Sequence, residues 1–306
     1  MDLIHKPFTT KDLGGPWAIL VGNFDGFHLG HQTLARRLLA QREHFGAKAA
    51  LLTFEPHPKQ VLQPEVPFYQ IYPDQAKWRF MEEAGLDACL IAPFTHRFAS
   101  LSPAEFLSRL FSYLTIKKIL VGYDFNFGKG RSGSAEVMAA ECEARGVEFE
   151  ELGPIKEDGV TVSSTMIRRL LFEGDFDGAA RFLGRPWAIE GRIEQGHQKG
   201  RELGFPTINL PSSILLPLKT GVYVAEVMIE GVCYKGVCNV GYKPTFEGEG
   251  LITEAFIFDF NQDAYGKWAQ VFPKAFLRPE AKFESLNQLQ GQIAKDVEKA
   301  RVYWGL

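Results

Sequence analysis

The sequence predicts two domains of different class. An α/β domain built on a parallel sheet comes first, and an antiparallel β-barrel or sandwich closed by a terminal helix follows. Three observations carry this expectation. Up to about residue 185, short apolar runs alternate with amphipathic helical patterns, the signature of βαβ units. At Gly184-Arg185-Pro186 the chain breaks, and β-rich segments joined by glycine turns take over. A length of 306 residues has room for two cores. The expected domains are therefore residues 1–185 and 186–306.

In the first half, strands are expected at 17–22, 48–54, 87–92, 118–122 and 147–151, and helices at 31–45, 74–84, 103–114 and 134–145. Gly46 is a plausible C-cap for the first helix. Ser102-Pro103-Ala104-Glu105 supplies an N-cap, a proline at the first helical position and an acidic residue in the first turn. A short helix at 175–183 closes this half. In the second, strands are expected at 187–195, 221–230, 232–240 and 252–260 with no helices between them. A final helix at about 285–303 places Leu286, Leu289, Ile293, Val297 and Ala300 along one face.

Composition narrows the class. With 45% hydrophobic and 23% charged residues the chain reads as a soluble globular protein, and its net charge of −3 points to no nucleic-acid or anionic-membrane surface. No apolar run approaches the roughly 18 residues of a membrane span, and the opening residues lack a signal peptide's apolar core. Cys89, Cys142, Cys233 and Cys238 form no metal-like pair, and Cys89 and Cys142 fall in patterns that bury reduced thiols. A cytoplasmic location is expected.

The chemistry starts at Gly22-Asn23-Phe24-Asp25-Gly26-Phe27-His28-Leu29-Gly30-His31, which follows an apolar strand and opens a helical pattern. A loop between a strand's carboxyl end and a helix N-terminus is where open α/β sheets bind ligands, and unpaired amides with a positive dipole suit phosphate. His28 and His31 are three apart, so they share one side of a helix that has begun there. Gly30 removes a side chain that would hold a nucleotide off the backbone. Two imidazoles beside a phosphate can donate hydrogen bonds to charge developing on phosphorus. The plain alternatives are a metal pair or two structural histidines. The strand, the G-N-F-D-G turn and the lack of a third ligand nearby favour the nucleotide.

On these residues the chain resembles the H-x-G-H nucleotidylyltransferases, and among them the bacterial bifunctional riboflavin kinase/FMN adenylyltransferases, or FAD synthetases. Three further segments agree in order and spacing: Thr53-Phe54-Glu55-Pro56-His57-Pro58, Gly122 to Gly133, and Ser163-Ser164-Thr165-Met166-Ile167-Arg168. Bottom-up, the first has prolines that favour an extended backbone, and the second mixes aromatic, amide and basic groups with glycines. The third caps a helix with hydroxyls. The resemblance implies a Rossmann-like adenylyltransferase domain and a riboflavin kinase-like barrel. It implies catalysis by His28 and His31, and nucleotide contacts from Asn23, Phe24, Asp25, Gly26, Gly30, Asn126, Arg131, Ser164, Thr165 and Arg168. Flavin contacts are implied for Phe54, Pro56, His57 and Pro58.

A second site is expected in the β-rich half. Gly200 and Gly204 lie in a glycine-rich run that can wrap phosphates, although no Walker loop is present. If Thr207 to Asn209 is extended, the Thr and Asn side chains share a face while Ile208 turns to the core, and their oxygens suit Mg²⁺. A turn followed by an ordinary strand is the plainer reading of the same residues. Glu254 stands in a mostly apolar strand, where a carboxylate either pairs or acts as a base. The resemblance assigns Glu254 as the base of a kinase that makes FMN from riboflavin and ATP, and places Arg278 near the flavin. The FMN is then adenylylated to FAD. Two departures from the family pattern are Ile208, where P-T-A-N is common, and Phe256, where a histidine is frequent.

Overall fold

The computed structural model describes residues 1–9, 13–196, 199–245 and 248–306, and it divides into two compact units. One comprises Met1–Phe68 and Asp74–Ser164, the other Tyr69–Pro73 and Thr165–Leu306.

The first unit contains, in chain order, β1 (Asp2–His5), β2 (Trp17–Val21), α1 (Leu29–Leu39), α2 (Arg42–Phe45), β3 (Lys48–Glu55) and α3 (Pro58–Leu62). After the Tyr69–Pro73 segment come α4 (Asp74–Glu83), β4 (Ala88–Pro93), α5 (His96–Ala99), α6 (Pro103–Tyr113), β5 (Ile116–Gly122), α7 (Ala135–Ala144) and β6 (Glu148–Leu152). A two-stranded hairpin, β7 (Lys156–Glu157) and β8 (Val160–Thr161), precedes α8 (Ser164–Glu173), which belongs to the second unit from Thr165 on. The six-stranded sheet has the order β1-β4-β3-β2-β5-β6 and every pairing in it is parallel. All its strands therefore end on one rim. The order reverses at β2, whose neighbours are β3 and β5, so the crevice expected at a topological switch lies beyond Val21. β2 is buried along its whole length, as a central strand covered on both faces must be.

The expected 31–45 helix is two helices, α1 and α2. Ala40 caps the first, and Gly46 in the left-handed region (φ 54°) caps the second. Ser102 forms a reciprocal capping box with Glu105. The Glu105 carboxyl is held below its usual range by hydrogen bonds from the Ser102 amide and hydroxyl. Lys118 on β5 is fully buried and bonds Glu148 (2.7 Å) and Glu150 (2.5 Å) on the neighbouring strand, so a cation inside the protein is matched by two carboxylates.

The second unit adds α9 (Phe176–Leu183), β9 (Ile189–Arg192), α10 (Lys199–Glu202), β10 (Thr207–Ser212), β11 (Gly221–Ile229), β12 (Val232–Thr245), β13 (Gly248–Ile257), β14 (Trp268–Arg278) and α11 (Leu286–Trp304). Its six strands are ordered β10-β13-β12-β11-β14-β9 and pair antiparallel. The sheet curls until Glu194, just beyond β9, bridges Asn209 on β10, which nearly closes a barrel. Helix α11 covers Val222, Val224 and Val237 with Val297 and Ala300. All four cysteines are unpaired; burial pushes the Cys89 and Cys238 thiols up to about 12, which removes them as nucleophiles at neutral pH.

Candidate active sites

At the end of β2 the chain turns through Gly26 (φ 83°), a conformation that favours glycine. Phe24 and Phe27 are buried at 3% and 1% exposure and moor the loop in the core. Phe24 sets its ring edge-on to His31 at 5.1 Å, so it supports an imidazole from within the core. Asp25 is buried as well, and its carbonyl accepts from the Ser164 hydroxyl at 2.8 Å, which ties the start of α8 to this loop. The Asn23 carbonyl accepts from Thr53 at 3.3 Å.

His28 is the N-cap of α1, just outside the helix: its Nδ1 accepts from the His31 amide at 3.4 Å. The two rings stack with centroids 3.6 Å apart and planes 16° apart. Gly30 has a second reason to be glycine, because a Cβ there would come within 3.1 Å of the His28 ring. The first turn of α1 carries no acidic side chain, so its positive end remains available to an anion.

The neighbouring rim loops belong to β3 and β5. Phe54 is half-buried among the Phe94 and Phe98 rings, and Pro56 is exposed. His57 caps α3 and stacks on Phe68 at 4.1 Å, and Pro58 is the first residue of that helix; the stretch expected to stay extended becomes a helical turn because His57 and Gln60 form a capping box. Asn126 and Arg131 are exposed on the β5 loop, where the Asn126 amide donates to the Asp124 carbonyl. Phe127 pins that loop to the core against Gly133, where a Cβ would collide with its ring at 2.8 Å. The structure thus gathers His28, His31, Asn23 to Gly26, Gly30, Ser164 and the β3 and β5 loops on one rim. Thr165 and Arg168 fall in the second unit, where Arg168 Nε donates to the Tyr69 carbonyl at 2.7 Å.

The second unit holds a cavity of about 580 Å³ at the edge strand β10, lined by Arg201, Thr207, Asn209 and the Asn261–Tyr265 turn. Gly200 packs under the Phe205 carbonyl, which a Cβ would approach to 2.4 Å, and Gly204 is left-handed at 86°. Ile208 is buried at 7%, Thr207 is half-buried, and Asn209 is buried with no hydrogen-bond partner for its Oδ1 among the described residues. Glu254 is half-buried on β13 and lies directly opposite Asn209 on β10 and Asn239 on β12, so three polar side chains share one face across three strands. Arg278 ends β14, its guanidinium engaged by Asp296 of α11.

The model of the FAD synthetase family matches residues 13–166, and that of riboflavin kinase matches residues 183–304. A bifunctional riboflavin kinase/FMN adenylyltransferase of Bacillus subtilis is 34% identical over 309 residues, covering 99% of this chain and 97% of its own. The chain belongs to the bifunctional riboflavin kinase/FMN adenylyltransferase family.

An Escherichia coli K12 relative of the same name is also 34% identical and covers 94% of this chain and 93% of its own. A solved structure from Streptococcus pneumoniae, described as a macrolide-efflux protein, aligns with a TM-score of 0.77 at 30% identity and covers 98% of this chain and 99% of that one. Among the described residues of this family member, no helix is long and apolar enough to cross a membrane.

In the second unit, Thr207 and Asn209 offer hard oxygens in a cavity, and the Asn209 Oδ1, without a hydrogen-bond partner among the described residues, is an acceptor in want of a cation or donor. No cluster of three His, Cys, Asp or Glu side chains suited to a metal exists among the described residues, so a cation here would rely on neutral oxygens and on its nucleotide. Phe256 meets Phe205 edge-on at 5.5 Å, so an apolar contact stands where the pattern often has an imidazole. Asn239, Glu280 and Asp296 escaped the sequence reading. The signal for Asn239 is register, which only pairing reveals; Asp296 sits in a helix whose polar residues otherwise read as solvated.

Proposed function

We propose that this chain makes FAD from riboflavin in two ATP-dependent steps, with residues 186–306 as the kinase and residues 1–185 as the adenylyltransferase. What carries the reading is that relatives named for both activities match the chain almost end to end; the stacked imidazole pair of the first unit and the cavity at β10 in the second support it.

In the kinase step the ribityl hydroxyl of riboflavin attacks the γ-phosphorus of ATP. Glu254 takes the hydroxyl proton, the bond from phosphorus to the bridging oxygen breaks, and ADP leaves with FMN formed. The Gly200–Gly204 segment, α10 and the turn after it, wraps the phosphates, and Thr207 and Asn209 would hold the nucleotide and its Mg²⁺. That ion, when bound, would neutralise charge on the β- and γ-phosphates. Arg278 lies on the flavin side.

In the second step an oxygen of the FMN phosphate attacks the α-phosphorus of a second ATP, and pyrophosphate departs. The protein supplies no nucleophile, so its work is alignment and charge stabilisation. His28 and His31 donate to the α-phosphate oxygens. Asn23 to Gly26, Gly30, Asn126, Arg131, Ser164, Thr165 and Arg168 hold the nucleotide, and Phe54, Pro56, His57 and Pro58 the flavin. A cytoplasmic location is part of the proposal, supported by four free thiols.

The test is incubation with riboflavin, ATP and Mg²⁺ followed by chromatography. FMN and FAD appear in turn under this reading; FMN without FAD removes the assignment of the first unit, and neither product removes both.

A further inference from the structure

The C-terminal helix carries one buried carboxylate, and no step above uses it. Asp296 of α11 is buried at 3% exposure. Arg278 Nε donates to both its oxygens (3.1 and 2.9 Å), and Nη2 donates to Oδ2 at 2.7 Å. One turn earlier on α11, Gln292 Nε2 donates to Oδ1 at 2.9 Å. The remaining Arg278 nitrogen, Nη1, folds back to the Pro279 carbonyl at 2.9 Å. The guanidinium is thus fixed in plane as well as in place, because paired N–H···O bonds leave it little rotation.

The turn after Arg278 gives that fixation a purpose. Two residues on, Glu280 lies over β12: its Oε1 accepts from Asn239 at 3.5 Å, and it fills the space above Gly241, where a Cβ would come within 2.0 Å of the carboxylate. Asn239 stands directly opposite Glu254 in the sheet register. From the helix to the proposed base runs a continuous set of neighbours: Asp296, Arg278, Glu280, Asn239, Glu254. The same helix reaches the phosphate loop, where Gln290 donates to the Leu203 carbonyl at 3.1 Å.

A buried ion pair is a poor way merely to attach a helix, since hydrophobic groups of the same volume often serve equally well. What it adds is orientation. We propose that Asp296 is a positioning residue of the kinase site: by clamping Arg278 it sets the Arg278–Glu280 turn, and with it the Glu280–Asn239 pair alongside Glu254. The inference rests on the assignment of Glu254 as the kinase base.

The experiment uses the full-length chain with three variants, Asp296→Asn, Gly241→Ala and Glu254→Gln, each assayed for riboflavin phosphorylation and for adenylylation of supplied FMN. Asp296→Asn keeps the shape and removes the charge that orients the guanidinium. Gly241→Ala leaves the clamp intact but drives the Glu280 carboxylate from its place. Misplacement of reacting groups by about 1 Å costs on the order of 100-fold. Both variants should therefore lose roughly 10- to 100-fold in kcat/KM for riboflavin while adenylylating FMN within about twofold of the parent. Asp296→Glu should recover part of the loss. A merely structural Asp296 would lower the melting temperature and leave the riboflavin kcat and KM of the folded enzyme alone. If Asp296→Asn does not fold, Gly241→Ala decides. Wild-type riboflavin kinetics in every folded variant of the clamp and of Gly241, with Glu254→Gln inactive, overturns the inference alone. Phosphorylation that survives Glu254→Gln overturns the base assignment and the inference with it.

Discussion

Replacing Gly30 with alanine separates stability from chemistry in the first unit. The added Cβ would sit 3.1 Å from both Cε1 and Nδ1 of His28, closer than ordinary van der Waals contact, so the ring must give by a few tenths of an ångström. His28 cannot retreat freely, because it is stacked on His31 at 3.6 Å and its Nδ1 is bound to the His31 amide. Gly30 itself lies inside α1, where alanine is favoured over glycine by up to about 1 kcal/mol. That gain offsets the strain, so the melting temperature should stay within about 3 °C of the parent. Transition-state alignment is less forgiving: a loss of about 1.4 to 2.7 kcal/mol corresponds to a 10- to 100-fold fall in kcat/KM for FMN adenylylation. Calorimetry and a pyrophosphate-release assay read the two quantities separately, with riboflavin phosphorylation as the internal control. Full adenylyl transfer by a variant of unchanged stability would refute the claim that the His28 ring position governs this step.

The other expectations come from the same geometry. His28→Ala or His31→Ala should cost about 10²- to 10⁴-fold in adenylyl transfer and spare the kinase, and Glu254→Gln should do the reverse, as product ratios by chromatography will show. Chelation of Mg²⁺ should stop FMN formation, and Asn209→Ala should raise the Mg²⁺ concentration needed for half-maximal rate; an unchanged requirement would remove Asn209 from the metal. Glu150 has a lowered pKa: burial pushes it up, but hydrogen bonds and charge from Lys118 and Arg37 prevail. Its contribution to stability is present above the ordinary value of 4.5 and is lost as pH falls through the lower folded value. Melting temperature should therefore fall more steeply below about pH 4.5 in the parent than in Glu150→Gln. At pH 7 Glu150→Gln should be destabilised by roughly 1 to 3 kcal/mol, because Lys118 is fully buried, whereas Lys118→Met should cost less.

The parallel sheet was legible because its strands are buried on both faces and read as unbroken apolar runs, as Trp17–Val21 and Ala88–Pro93 do. β1 escaped because Asp2–His5 is a four-residue edge strand with polar ends. In the second half, Trp268–Arg278 alternates as a strand should, yet Pro273 argues against one. The structure accommodates it at a register shift, where Val224 faces Ala275 and Ala225 faces Pro273, and beyond the end of β9. The motif residues were legible because glycines, prolines and paired polar groups mark loops whatever the tertiary context. Asn239 and Asp296 were not, since their meaning depends on which strand lies opposite and which helix lies over it.

Placing His28 at the N-cap also decides which nitrogen of its neutral ring holds the proton. Nδ1 takes the amide hydrogen of His31, so the N–H belongs to Nε2, at the far side of the ring from the helix. One buried side chain both completes a helix and carries an N–H on the ring nitrogen that the cap does not use, and alanine would abolish the two together. Asparagine is a good cap without an imidazole. His28→Asn therefore isolates the donor's share of the rate from the helix's share of the fold.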